Sequence, residues 1–371
     1  MRICKQCVQL DSRPGIYFND NGVCGACVWN EEKNTIDWKS RENELQEIAN
    51  WAKDTTQSSY DCVIGVSGGK DSTLQAITAR DKLGLRCLLV NSEPEGITEI
   101  GRNNIENLKN LGFDTLALRP NPKVMKKLVK RDFYKYLNPQ KITEFSLYSS
   151  AYIIADQFNI PLIIQGENEG LTLGASGGGV GTNSDAFTVQ SSNTLSTGWE
   201  NYMEEVEKNE LFMFHFDREK LEKKGIRAIW LQYFFKNWSN DGNAKFAQNY
   251  GFQIRPENFE SNSVGTYTKY SQIDSDLIQV NQLLKYIKFG FGQCMDHACY
   301  DLRDGLITRK EAIDLVKKYD GKCSNEYILK FCNYIDITID EFWNHANKFR
   351  GPMWIKDEED NWYNTSEELL K

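Results

Sequence analysis

Apolar and polar positions change period several times along the 371 residues of this chain. Between residues 38 and 53, Leu45, Ile48, Ala49 and Ala52 recur at helix spacing among Glu and Lys, which predicts an amphipathic helix leading into the body of the protein. Short continuous apolar runs then alternate with helical stretches. Strands are predicted over 62–66, 86–90, 115–118 and 161–165, with a fifth over 226–234 after an aromatic-rich insertion. Helices are predicted over 72–83, 98–111 and 145–157, the first two closing near Gly84 and Gly112. This alternation predicts an α/β fold with right-handed βαβ units and a doubly wound parallel sheet, so ligands are expected beyond the carboxyl ends of the strands. From Tyr267 the pattern turns helical, with Ile273, Leu277, Val280, Leu283, Leu284 and Ile287 at helix spacing, and 311–319 and 340–349 read as further helices of a C-terminal lobe.

The first predicted strand runs into Ser67-Gly68-Gly69-Lys70-Asp71-Ser72 and then into a helix. A glycine turn before a helix N-terminus aims backbone N–H groups at an anion, and glycine suits a place where the backbone itself touches the ligand. Ser67 and Ser72 add hydroxyl donors and Lys70 a charge, while Asp71 offers a carboxylate suited to the magnesium of a nucleotide. The spacing fits neither Walker A nor the dinucleotide fingerprint. It resembles the SGGxDS loop of the PP-loop ATP pyrophosphatases, which implies ATP as substrate, split between its α and β phosphates.

The other strand ends carry Asn91-Ser92-Glu93 and Gly166-Glu167-Asn168-Glu169. In this topology they should converge with the loop, the backbone near Asn91 pairing with the adenine edge and Gly166 admitting base or ribose. Glu167 reads either as a second magnesium ligand beside Asp71 or as a carboxylate placed for a helix dipole. The glycine-rich run 173–181 reads either as a lid over the site or as a surface loop. Among three histidines, Asp296-His297 is the one carboxylate–imidazole neighbour pair, following Lys288-Phe289-Gly290-Phe291-Gly292. It reads as a structural histidine or as part of a substrate site.

Four of the ten cysteines form Cys4-x-x-Cys7 and Cys24-x-x-Cys27, the pattern of a two-knuckle zinc ribbon whose metal stabilises a segment too short to bury a core. Disulfides or a redox pair are the other readings. Three regions are expected: the ribbon over 1–40, the doubly wound domain over 41–258 and the helical lobe over 259–371.

Composition narrows the function classes. No apolar run is long enough to span a bilayer and the first residues do not read as a signal peptide, so a cytoplasmic protein without membrane contact is expected. A net charge of −8 speaks against nucleic acid as partner. The densest basic patch, Lys123, Lys126, Lys127, Lys130 and Arg131, reads as a solvated helix face, and Arg303 and Arg309 read as continuing a basic edge beyond His297.

Together the cysteine ribbon, the loop, Gly166-Glu167-Asn168 and the run from Lys288 to His297 resemble the N-acetyl sugar amidotransferase family of surface-polysaccharide biosynthesis. Ile307-Thr308-Arg309 and the run from Lys317 to Gly321 extend the likeness. The resemblance implies ATP-dependent conversion of an acetamido group on a sugar, nucleotide-linked or free, into an acetamidino group. It implies ATP, Mg2+ and structural Zn2+, and catalytic roles for Lys70, Asp71, Asp296 and His297. It also implies ammonia from a separate glutaminase and cyclase-like subunit pair. In agreement, Arg2 rather than Cys4 would follow removal of Met1, and no Gly-x-Cys-x-Gly nucleophile turn is present. Two other readings remain: a PP-loop tRNA sulfur transferase, for which Cys294 and Cys299 are the candidate thiols, and a non-catalytic nucleotide sensor.

Overall fold

The computed structural model describes residues 1–174, 183–192 and 194–370. At its centre lies a five-stranded parallel sheet of β1 (Cys62–Gly65), β2 (Cys87–Ser92), β3 (Asp114–Leu118), β4 (Leu162–Gln165) and β5 (Arg227–Trp230), in the order β3-β2-β1-β4-β5. Cys62 aligns with Cys87 on one side and with Leu162 on the other. The strand order reverses between β1 and β4, and the crevice at such a switch point is where a doubly wound sheet takes its ligand. β2 and β4 are buried at every position and β1 at all but Gly65, which is why their sequences are apolar throughout instead of alternating.

Successive residues of β1 still divide between the two faces. Val63 joins a core with the helices Pro122–Tyr136 and Lys141–Phe158, while Cys62 and Ile64 join a second core with Leu45, Ile48 and Ala49 of the helix Trp38–Thr55. The first core continues into the C-terminal helices Leu277–Phe289, Asn325–Ile335 and Ile339–Ala346. There Phe133 stacks on Phe342 with ring centroids 5.5 Å apart and meets Phe331 edge-on at 5.4 Å. A third core joins the four ribbon cysteines to Phe291, Met295 and Cys299. The doubly wound sheet with a cysteine ribbon and helical C-terminal region is therefore the architecture present. Among the described residues no helix is long and apolar enough to cross a membrane.

Several boundaries differ from expectation. The fifth strand ends at Trp230 and gives way to a 3-10 turn, Leu231–Phe234. There the Gln232 N–H donates to Gly166 O, and its side-chain oxygen accepts from Asn168 N, which pulls the chain off the ladder. The helix after the loop spans Lys70–Ile77 and widens into a π turn over Thr78–Lys82. The helix expected from Tyr267 begins only at Leu277, because the Arg255 guanidinium takes the carbonyls of Thr268, Ser271 and Gln272. Most of the glycine-rich run read as a lid or a surface loop, residues 175–181, lies outside the described residues. The basic patch is engaged: Lys126 pairs with Asp336 at 2.7 Å, and Arg131 is buried against Asp132.

Candidate active site

The loop after β1 is shaped by glycine. Gly68 has φ +77°, and a Cβ on it would meet Ile105 N at 2.9 Å and Asn104 C at 3.0 Å, so conformation and close approach both require its bare backbone. Gly69 is the N-cap of Lys70–Ile77, whose first N–H groups face the loop. Ser67 to Asp71 line a cavity of about 340 Å³ together with Glu167, Tyr270, His297 and Tyr300. Lys70 Nζ lies 2.5 Å from Asp71 Oδ2, and Asn243 Nδ2 donates to Asp71 Oδ1 at 2.7 Å. Burial, and after it the Asp71 carboxylate, push Glu167 up to about 7, with Lys70 opposing. Two carboxylates close enough to feel one another, beside one ammonium, form the oxygen donor set a hard divalent cation takes. Asn168, not Glu167, caps the following helix.

A second cavity of about 570 Å³ adjoins the first and shares Glu167, Gln272 and Tyr300 with it. Its wall carries Arg13, Lys141, Lys285 and Lys288 against Glu144, Glu169 and Asp296. Lys288 Nζ donates to Tyr136 O at 2.9 Å, and burial and then neighbouring Lys141 push its ammonium down to about 8.

The helix Gln293–Arg303 serves both cavities. Asp320 fixes its start, accepting from Gly292 N at 2.7 Å, Cys294 N at 2.9 Å and Met295 N at 3.2 Å. Asp296 then faces the lysine cavity and His297 the loop cavity, while Tyr300, one turn on from both, lines the two. Asp296 is gripped by Arg13 and by Lys285, the latter at 2.7 Å, and although burial works against its charge these cations hold it below the usual carboxylate range. Burial pushes His297 down to about 3, so its ring is neutral at physiological pH, with Nδ1 2.6 Å from Thr266 Oγ1.

Three residues expected at the nucleotide are not on the wall of the loop cavity. Ser72 turns its hydroxyl back onto Gly69 O. The Asn91 side chain donates to Val66 O at 2.8 Å, tying β2 to the start of the loop. What the bare Gly166 admits is the Gln75 amide, which a Cβ there would meet at 2.2 Å. Arg13, Lys141, Lys285, Gln272 and Tyr300 escaped the sequence reading. Tyr300 had left a signal, three positions past His297 on one helix face, whereas Arg13 reaches Asp296 across 283 residues.

The ribbon is built into this site. The four thiols of Cys4, Cys7, Cys24 and Cys27 lie within 4.8 Å of one another, with Cys4–Cys27 at 3.9 Å and Cys7–Cys24 at 3.6 Å. A tetrahedral zinc with Zn–S bonds of about 2.3 Å needs sulfurs about 3.8 Å apart, so the set fits that ion. Arg309 donates to the carbonyls of Cys4 and Cys7 and Arg303 to Thr172 O, so neither forms the basic edge expected of them. The loop between the knuckles carries Arg13 into the lysine cavity. Cys294 is buried with its thiol on Leu315 O, Cys299 packs beside the ribbon, and neither lines a wall of the two cavities.

The family model described as LPS biosynthesis protein WbpG-like, C-terminal domain, matches residues 264–369, the region that holds the Lys288 to His297 run. No curated protein matches the chain. Among solved structures the chain is similar to an NH3-dependent NAD synthetase from Campylobacter jejuni in complex with the nitrate ion, at 14% identity and TM-score 0.31 over 61% of this chain and 100% of that one. It is also similar to an NMN synthetase from Francisella tularensis, at 17% identity and TM-score 0.28 over 59% and 99% of the two chains. At such scores the fold assignment rests on strand order and the loop.

Proposed function

We propose that this protein is an ATP-dependent amidotransferase that converts the acetamido group of a sugar into an acetamidino group in the making of a bacterial surface glycan. The observation that carries the reading is the junction at Glu167, Gln272 and Tyr300, where a pyrophosphatase-type loop cavity shares its wall with a polar cavity large enough for a sugar. The WbpG-like match over 264–369 supports the glycan context.

An amide carbonyl is a poor electrophile and its oxygen a poor leaving group. In the proposed reaction that oxygen attacks the α-phosphorus of ATP and pyrophosphate leaves. Ammonia then adds to the resulting imidate carbon, and AMP departs carrying the former amide oxygen. The loop from Ser67 to Lys70 receives the charge of the departing pyrophosphate through backbone N–H groups and the Lys70 ammonium, so catalysis is by positioning and charge stabilisation. Magnesium, held by Asp71 and Glu167, would supply charge neutralisation on the phosphates. Arg13, Lys141, Lys285 and Lys288 hold the acceptor, Asp296 orients two of these cations, and neutral His297 lines the α-phosphate side. The zinc ribbon is structural. Ammonia comes from a separate glutaminase and cyclase-like pair, and nucleic acid and membrane take no part.

The testing assay follows pyrophosphate. Release is expected only when an acetamido sugar is present, with ammonium needed to convert the imidate into the amidino sugar, and glutamine is expected not to replace ammonium. Glutamine-driven turnover by the isolated protein contradicts the partner assignment, and absence of release with every acetamido sugar tried contradicts the reaction. The lysines add a pH prediction for an acidic acceptor sugar. Binding should be strongest while Lys288 is charged and weaken as pH rises through about 8, since its depressed pKa means the proton is lost there. Acceptor KM against pH checks this: Lys288→Met should remove that limb and raise KM about tenfold.

A further inference from the structure

His297 meets two hydroxyls behind the wall of the loop cavity. Its Nδ1 lies 2.6 Å from Thr266 Oγ1 and 3.1 Å from Thr268 Oγ1, and both threonines are buried. A buried hydroxyl proton needs an acceptor. Thr266 Oγ1 already accepts from Thr268 N at 3.3 Å, and the two hydroxyls are 3.4 Å apart, so among the described residues each hydroxyl proton can turn only to the other threonine or to the ring. If Nδ1 carried a proton it would donate to one threonine and leave a hydroxyl proton of the pair without an acceptor. With Nδ1 bare, Thr266 donates to the ring, Thr268 donates to Thr266 or to the ring, and every group is satisfied. A neutral imidazole with a bare Nδ1 carries its hydrogen on Nε2. That nitrogen bonds to none of the described residues and is not closed off, so it opens on the cavity that the ring lines.

We infer that Thr266 and Thr268 fix His297 as a neutral Nε2–H donor, and that this N–H stabilises the α-phosphate of ATP as the acetamido oxygen attacks it. The inference rests on the amidotransferase reading and gives His297 its part in it. The loop from Ser67 to Lys70 takes the leaving pyrophosphate, and the acceptor lies across the junction at Tyr300, one turn along the same helix from His297. The α-phosphorus between them therefore passes the Nε2–H. There the amide oxygen forms its bond to phosphorus while the bridging oxygen leaves on pyrophosphate with the electron pair of the broken bond. Charge on the α-phosphate oxygens meets a donor already aimed at it, with no hydration shell to rearrange. His297 keeps its proton throughout, so the ring is not the base that takes a proton from ammonia. The threonines act through the ring and are positioning residues.

Nitrogen NMR of the full chain labelled at its three histidines tests the tautomer, with His297→Gln identifying the signals of this ring. At neutral pH an uncharged ring with hydrogen on Nε2 alone is expected. Its Nε2–H signal should move when magnesium and a saturating ATP analogue with a methylene bridge between the α and β phosphates are added. Hydrogen on Nδ1, a charged ring, or an Nε2–H signal indifferent to the analogue overturns the assignment. In the pyrophosphate assay His297→Gln, which keeps an N–H near the place of Nε2, should stay within about tenfold of native, whereas His297→Leu should fall about 10²–10³-fold. Equal falls in the two at native melting temperature overturn donation by the ring. Thr266→Val should mix the tautomers, because Nδ1 can then donate to Thr268, and should lower kcat about tenfold with ATP KM near native. Thr266→Ser should restore both tautomer and rate. An unchanged tautomer in Thr266→Val overturns the positioning role. A native protein that releases no pyrophosphate with any acetamido sugar overturns the reaction instead, while the NMR signals of the resting and analogue-bound protein still decide the tautomer and its contact with the nucleotide.

Discussion

Lys70→Ala should lower acceptor-dependent pyrophosphate release by about 10²–10³-fold, the loss seen when one preorganised electrostatic donor is removed from a reacting centre. The residue is only 8% exposed and lies on the first turn of the helix behind the loop, so its charge acts in a partly desolvated cavity. It also stands between two acids. Lys70 contacts Asp71 and works against the upward push on Glu167, so its loss leaves two neighbouring carboxylates uncompensated. The kinetic signature should accordingly be double. kcat should fall, and magnesium dependence should shift to higher pH because Glu167 gives up its proton later. Lys70→Arg should not rescue fully, since a planar fork does not replace a point charge against a glycine turn. An equal fall in activity with no change in the magnesium profile would place Lys70 outside the carboxylate pair.

Cys24→Ser should be the most damaging substitution to stability. Structural zinc in small ribbons contributes about 10–16 kcal/mol of apparent binding free energy, and loss of a metal site belongs to the class of changes exceeding about 4 kcal/mol. Here the consequence reaches past the ribbon. The knuckles share a core with Phe291 and Met295, and the loop between them delivers Arg13 to Asp296 and Ser12 to Phe289 O. Freed of metal, that loop loses its anchor and Asp296 keeps only Lys285. Zinc content measured by mass spectrometry should fall from one per chain toward none, and sugar KM should rise far more than ATP KM. Retained zinc and unchanged KM values would separate the ribbon from the site.

The parts of this fold that could be read from sequence are those set by local pattern. Fully buried parallel strands advertise themselves as unbroken apolar runs, and a strand ending in Ser-Gly-Gly states its own turn. The cysteine knuckles carry their chemistry in their spacing. Less legible was what depends on contacts remote in sequence. The cations Arg13, Lys141 and the Lys285–Lys288 pair of one helix come from three distant segments, and nothing local marks those segments as neighbours. Asn91 and Gly166 show the same dependence: each sits at a strand end near the crevice, where the Asn91 side chain braces the loop and Gln75 fills the space at Gly166. The end of β5 was hidden by apolar neighbours, although Gln232, a polar residue inside that run, marked where the chain leaves the sheet.

Activation of the acetamido oxygen by AMP and its displacement by ammonia can be followed directly with an isotope. The native protein is incubated with ATP, magnesium, ammonium and an acetamido sugar carrying heavy oxygen in its carbonyl, and the products are weighed by mass spectrometry. The heavy atom is expected in the phosphate of AMP, none in pyrophosphate, with a sugar in which NH has replaced oxygen. Unlabelled AMP, or label in a terminal phosphate, would contradict it.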